Sequence, residues 1–119
     1  MGKELMVLRG EVKTPPLSHA ARREIGYLLR ELQEGESLSL PHSRPMPEIG
    51  ARCHELRVND PGKTGRVIYR IDPDAIVVVD VFEKKTRETP GRTIRDCHRR
   101  LRLYDETIGR SLQQTARPL

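Results

Sequence analysis

The stretch IVVVDVFEKKTR, Ile76 to Arg87, decides the fold. Five of its first six side chains, all but Asp80, are valine or isoleucine, whose branched Cβ suits a pleated strand. A run apolar at both parities fits a strand covered on both faces, in the middle of a sheet. It is too short to span a membrane, and an aspartate interrupts it. After Phe82 the run turns basic at Lys84, Lys85 and Arg87, where the strand must leave the sheet. A central strand that delivers fixed cations to its own end is suited to holding phosphate.

Working outward, two alternating segments precede it. Arg52 to Asn59 places His54, Leu56 and Val58 opposite Cys53, Glu55 and Arg57; Arg66 to Ile71 places Val67, Tyr69 and Ile71 opposite Arg66, Ile68 and Arg70. Asp60-Pro61-Gly62 and Asp72-Pro73-Asp74 are turn signals, so the three strands form an antiparallel meander. Matching parities collects Leu56, Val58, Val67, Tyr69, Ile71, Val77, Val79 and Val81 on the face that helices should cover. Glu55, Arg57, Arg66, Arg70, Asp80 and Phe82 collect on the other. Charges at the centre of a sheet need a reason; ion pairs among Glu55, Arg57, Arg66 and Asp80 would be a purely structural one.

Farther out, Leu5 to Leu8 reads as an edge strand. Leu17, Ala21, Ile25, Leu28, Leu29 and Leu32 recur at helical spacing, with Ser18 as N-cap and Gly35 as the residue past the C-cap. Gly26 inside that helix suggests the close approach of another element. Glu36 to Gly50, with Pro41, Pro45 and Pro47, reads as an irregular loop. A second helix is expected over Thr93 to Tyr104, with Ile94, Cys97, Leu101 and Tyr104 as its apolar stripe. Thr93 with Asp96 would cap it, or Thr89-Pro90 would start it earlier. Residues 106–119 show no pattern and read as a tail, so a single domain is expected over residues 1–105.

Composition narrows the function. The 119 residues carry a net charge of +5. Residues 1–50 hold seven basic and seven acidic side chains, whereas 51–119 hold fifteen and ten, the whole excess. Lys84 to Arg102 alone has eight basic against two acidic. That points to a polyanion, nucleic acid before membrane, against the blander alternative of a solvated helix face. Met1 to Leu8 has no apolar run of secretory length, so the protein is expected to stay in the cytoplasm. Cys53 and Cys97 each precede a histidine, but neighbours on a strand point to opposite faces. They read as buried thiols rather than metal ligands, and no metal or cofactor is expected.

HELRVND, GRVIYRID, IVVVDVFEKKTRETP and an arginine-rich helix ending RLRLYD, in that order, resemble the RelE/ParE superfamily of toxins from type II toxin–antitoxin systems. The HigB-like, phage-derived branch is the nearest; ARREIGYLLRELQEGE resembles its first helix and RPMPEIG its loop. The resemblance covers roughly residues 10–105. It implies a small α+β, RelE-like fold: an antiparallel sheet, the three-strand meander plus the N-terminal edge strand, with helices packed on one face. It also implies a metal-independent endoribonuclease that cuts mRNA on the ribosome, neutralised by a cognate antitoxin of helix-turn-helix type. By position, Arg66 matches the family's arginine for the scissile phosphate, and Lys84 and Lys85 match its basic pair. Arg57 lies on the same face, and Asp80 stands where many relatives carry histidine. Arg70, Phe82, Arg87, Arg95 and Arg99 complete the expected RNA surface. The rival readings are a non-catalytic RNA- or DNA-binding module of the same fold, and an inactive relative that only binds a partner protein.

Overall fold

The computed structural model describes residues 2–8, 12–84 and 89–116, with side chains described as far as Ile108. In chain order these form β1 (Glu4–Val7), α1 (His19–Gln33), β2 (Ser43–Pro45), β3 (Cys53–Asp60), β4 (Lys63–Ile71), β5 (Ala75–Lys84) and α2 (Gly91–Ala116). The strands make one sheet in the order β1-β5-β4-β3-β2, an α+β architecture. β3, β4 and β5 are the expected meander. Pro61 and Gly62 close its first hairpin, Gly62 taking the positive φ (75°) that a side chain would resist.

Three features depart from the expected architecture. β1 is an edge strand, but it runs parallel to β5, pairing Glu4 with Ala75 through Val7 with Val78, so the sheet is mixed. Inside the proline-rich loop, Ser43–Pro45 forms a short strand against β3; Pro45 sits at its last position, on the sheet's edge, where proline is tolerated. And the helices occupy opposite faces, not one.

The last departure has a local cause. Between Ile68 and Tyr69 the β4–β5 register shifts: Ile68 pairs with Asp80, Tyr69 with Val78, and Val79 is the extra residue. A bulge reverses parity along the strand. Ile76 and Val78 therefore join Leu56, Val58, Val67 and Tyr69 beneath α1, with Leu17, Ala21, Leu28, Leu29 and Leu32. Val77 and Val79 join Ile68 and Cys53 beneath α2, with Cys97, Leu101, Met46 and Ile49. The assignment of Val77 and Val79 to the first face is thus corrected. The valine run is apolar at both parities because both its faces are covered.

Helix ends follow the local signals. Ser18 caps α1, its hydroxyl accepting from the Ala21 amide at 3.1 Å, while its own amide donates to Asp60 Oδ2 at 3.0 Å. Gly35 follows the C-cap at φ 94°. Gly26 meets nothing: a Cβ built there would have no neighbour within 4 Å, so the expected close approach is absent. α2 begins at Gly91, right after Pro90, which favours the Thr89-Pro90 start. It continues to Ala116, so residues 106–116 extend the helix where the sequence showed only a patternless tail.

Candidate functional site

On the α2 face, strand register arranges the polar side chains in rows. Arg44, Glu55, Ile68 and Asp80 form one; Arg57, Arg66 and Phe82 the next; Asn59, Thr64 and Lys84 the last, at the end where β5 leaves the sheet. Arg57 and Arg66 lie directly opposite each other, a like-charge pair that is unfavourable alone. Glu55 resolves it. Its Oε1 accepts from Arg66 Nη1 at 2.9 Å and from Arg44 Nε at 3.2 Å, with Arg57 Nε 3.9 Å away. Its Oε2 accepts from the Thr89 hydroxyl at 2.6 Å.

Burial makes this cluster costly to disturb. Glu55 is 0% exposed and Arg66 2%. Desolvation lowers the Arg66 pKa, opposed by the Glu55 carboxylate beside it. Among the described residues, three guanidinium groups gather around this one carboxylate. Thr89 lies two residues before α2, so its bond to Glu55 brings the helix onto the sheet at this row. The rows of Arg57 and Lys84 lie outside the apolar stripe of α2, apart from Phe82, which packs against its edge. Arg57 and Lys84 are both partly exposed.

The other expected site residues divide. Asp80 does not orient Arg57 or Arg66: its Oδ2 faces Arg100 Nη1 at 3.4 Å, and the same Nη1 donates to the Val79 carbonyl at 3.2 Å. Burial pushes the Asp80 pKa up, partly offset by Arg100. Arg70 stands at the opposite end of the sheet. It donates to Asp105 through both terminal nitrogens (3.0 and 2.7 Å) and to Asp72 through Nε and Nη2 (2.7 and 2.9 Å), clamping α2 to β4. Those hydrogen bonds, Asp105 foremost, raise its pKa. Arg95 and Arg99 are exposed on α2. Lys85 and Arg87 lie outside the described residues.

Sequence reasoning placed Arg57, Arg66 and Phe82 on one face, and they share it; Lys84, expected where the strand leaves the sheet, lies at that end. That reasoning missed Arg44, hidden in the loop read as irregular, and Thr89 and Arg100. Glu55, two residues from Arg57 and diagonal to Arg66, pairs with both as the alternation suggested, whereas Asp80 pairs with Arg100. Cys53 and Cys97 are buried free thiols, and burial pushes Cys97 up to about 12. No helix among the described residues is long and apolar enough to cross a membrane.

A family model described as phage derived protein Gp49-like (DUF891) matches residues 16–102, from the start of α1 through most of the basic part of α2. No curated protein and no solved structure matches the chain. The match spans every element of the site, and the family's association with toxin–antitoxin systems implies an antitoxin as partner. The chain therefore belongs to the Gp49-like phage-derived proteins, a RelE/ParE-like family of toxins.

Proposed function

We propose that this chain is the HigB-like toxin of a type II pair, a ribosome-dependent endoribonuclease held in check in the cytoplasm by a helix-turn-helix antitoxin. The observation that carries this reading is the arginine cluster: three guanidinium groups converge on Glu55, two rows from the end of the sheet where Lys84 lies. In the proposed reaction the ribose 2′-oxygen attacks the adjacent phosphorus and loses its proton. The 5′-oxygen departs and gains one, leaving a cyclic phosphate. Charge builds on the phosphate oxygens, where arginine forks bind bidentately and stay charged. Arg57 and Lys84 are the phosphate contacts. Arg66, buried behind them, sustains the positive potential and fixes Glu55. Lys85 and Arg87 enter this scheme by resemblance, and Phe82 offers a ring beside the cations. The ribosome supplies the alignment of the 2′-hydroxyl.

One observation favours the rival reading, RNA binding without cleavage. Among the described residues, the carboxylates of Glu55 and Asp80 on this face are both held by arginines, Glu55 by Arg44 and Arg66 and Asp80 by Arg100. Purified protein with programmed ribosomes separates the two. The toxin reading expects mRNA cleavage that falls about 10²–10³-fold on replacing Arg57 with alanine. Intact mRNA, with RNA binding retained, would establish the binding module.

A further inference from the structure

A cavity of about 320 Å³, lined by Glu24, Pro41, His42, Arg57, Asn59 and Thr64, opens beside the cation cluster. It lies where β2 has ended its pairing at Leu56 and the edge of β3 runs on past it. The backbone there is fixed: the Arg57 amide donates to the His42 carbonyl at 2.7 Å. Arg57 belongs to both the cavity and the Glu55 cluster, and Thr64 pairs with Lys84. A phosphate held on Arg57 and Lys84 would therefore put the attached nucleoside at the mouth of this cavity.

The chemistry of the lining selects what enters. Its volume is near the lower end of small-molecule sites, about 300–1,000 Å³, the scale of one nucleoside. Glu24 is the acidic member among the described lining residues, and it disfavours a phosphate. A carboxylate accepts hydrogen bonds from an amino group, as it does from the N4 amine of cytosine. Asn59 offers an amide, which pairs bidentately with the N6 and N7 edge of adenine. His42 and Pro41 offer flat surfaces for the base to lie against. Uracil carries no exocyclic amine and offers Glu24 only its ring N3–H. We infer that this cavity is a base-selecting subsite, formed by Glu24, His42 and Asn59, for a nucleobase bearing an exocyclic amino group, next to the phosphate held by Arg57 and Lys84.

The inference rests on the proposed RNA-directed function, and binding of short RNAs separates their fates. Hexaribonucleotides of adenosine, cytidine and uridine are titrated against the full chain and against E24A and N59A. Alanine is at least as good a helix former as glutamate at exposed Glu24, so α1 is kept, and melting curves confirm the fold of both variants. The wild type should bind the adenosine and cytidine hexamers about tenfold more tightly than the uridine hexamer, the discrimination of one good pair. E24A should bring cytidine within about twofold of uridine at unchanged salt dependence; N59A should weaken adenosine selectively. Equal affinity for all three in the wild type, or a preference that survives both substitutions, overturns the subsite and leaves RNA binding standing. Absence of salt-dependent binding to any hexamer overturns both.

Discussion

Glu55 has exchanged water for three arginines and a threonine, so Arg66 matters to stability before it matters to RNA. Replacing Arg66 with alanine leaves a fully buried carboxylate short of its most buried partner. Breaking a buried pair from one side costs about 3–5 kcal/mol, and because Arg44 and Thr89 remain, about 3 kcal/mol is expected by chemical denaturation. Tyr69→Ala, on the α1 face, should cost a comparable amount, roughly 3–5 kcal/mol: it opens a cavity and deprives the Ser43 hydroxyl of its 2.6 Å hydrogen bond. Sheet alternation alone sets a charged face that tolerates truncation against an apolar face that does not. The buried pair removes that contrast, and an R66A protein melting like wild type would contradict it. His54 supplies a pH test. It stacks on Tyr69 with ring centres 5.4 Å apart, and burial holds its pKa below the ordinary 6.5. Above pH 6.5 the ring is neutral folded and unfolded and adds no pH dependence. As pH falls below that value the unfolded chain takes up the proton first, so stability declines. His54→Phe, keeping a ring on Tyr69, should shrink the loss of Tm between about pH 7 and about pH 5.

Among the elements, α1 carries a clean stabilising change. Because Gly26 faces open space inside the helix, Gly26→Ala should raise stability by about 0.5–1 kcal/mol, read from the denaturation midpoint. A close neighbour at that position would turn the gain into a loss. α2 is held just past its midpoint by Arg70 on Asp105, which keeps the Asp105 carboxyl below its ordinary 3.8. That stabilisation is present above 3.8 and is lost as pH falls through the lowered value. Asp105 is half exposed, so D105N should cost only about 0.5 kcal/mol at neutral pH. It should also flatten the acid limb of the stability curve below about pH 4, clear of the His54 window. The elements also show where sequence reading succeeds. Ser18, Gly35 and the Pro61-Gly62 turn act within a few residues, and the alternation of β3 and β4 carries its own parity, so all were legible. The bulge at Val79 was not: Ile76 to Val79 is apolar at every position, and no pattern marks where parity reverses. The same stretch asks for cover on both sides, and that demand, rather than the count of helices, is what divides α1 from α2. Arg44 escaped notice because three residues of β2 are too few for a period to show.

For the whole molecule, charge and topology set the behaviour. The +5 excess lies in residues 51–119, the part that carries β3, β4, β5 and α2. Binding to single-stranded RNA should therefore weaken steeply with salt, with log K changing by about −0.7 per log unit of salt for each phosphate neutralised. Replacing Lys84 with alanine should reduce that slope by about one such unit; an unchanged slope would place the RNA elsewhere. Topology adds a consequence in time. β1 is made first, yet the partner it lies parallel to is the last strand: Glu4 meets Ala75, 71 residues later. At about 5–20 residues per second those two positions are synthesised roughly 4–14 s apart. Throughout that interval the first strand has nothing to pair with, and the sheet that gathers Arg44, Arg57, Arg66 and Lys84 cannot close. On the proposed reading, a growing chain carries no assembled phosphate site until β5 has been made.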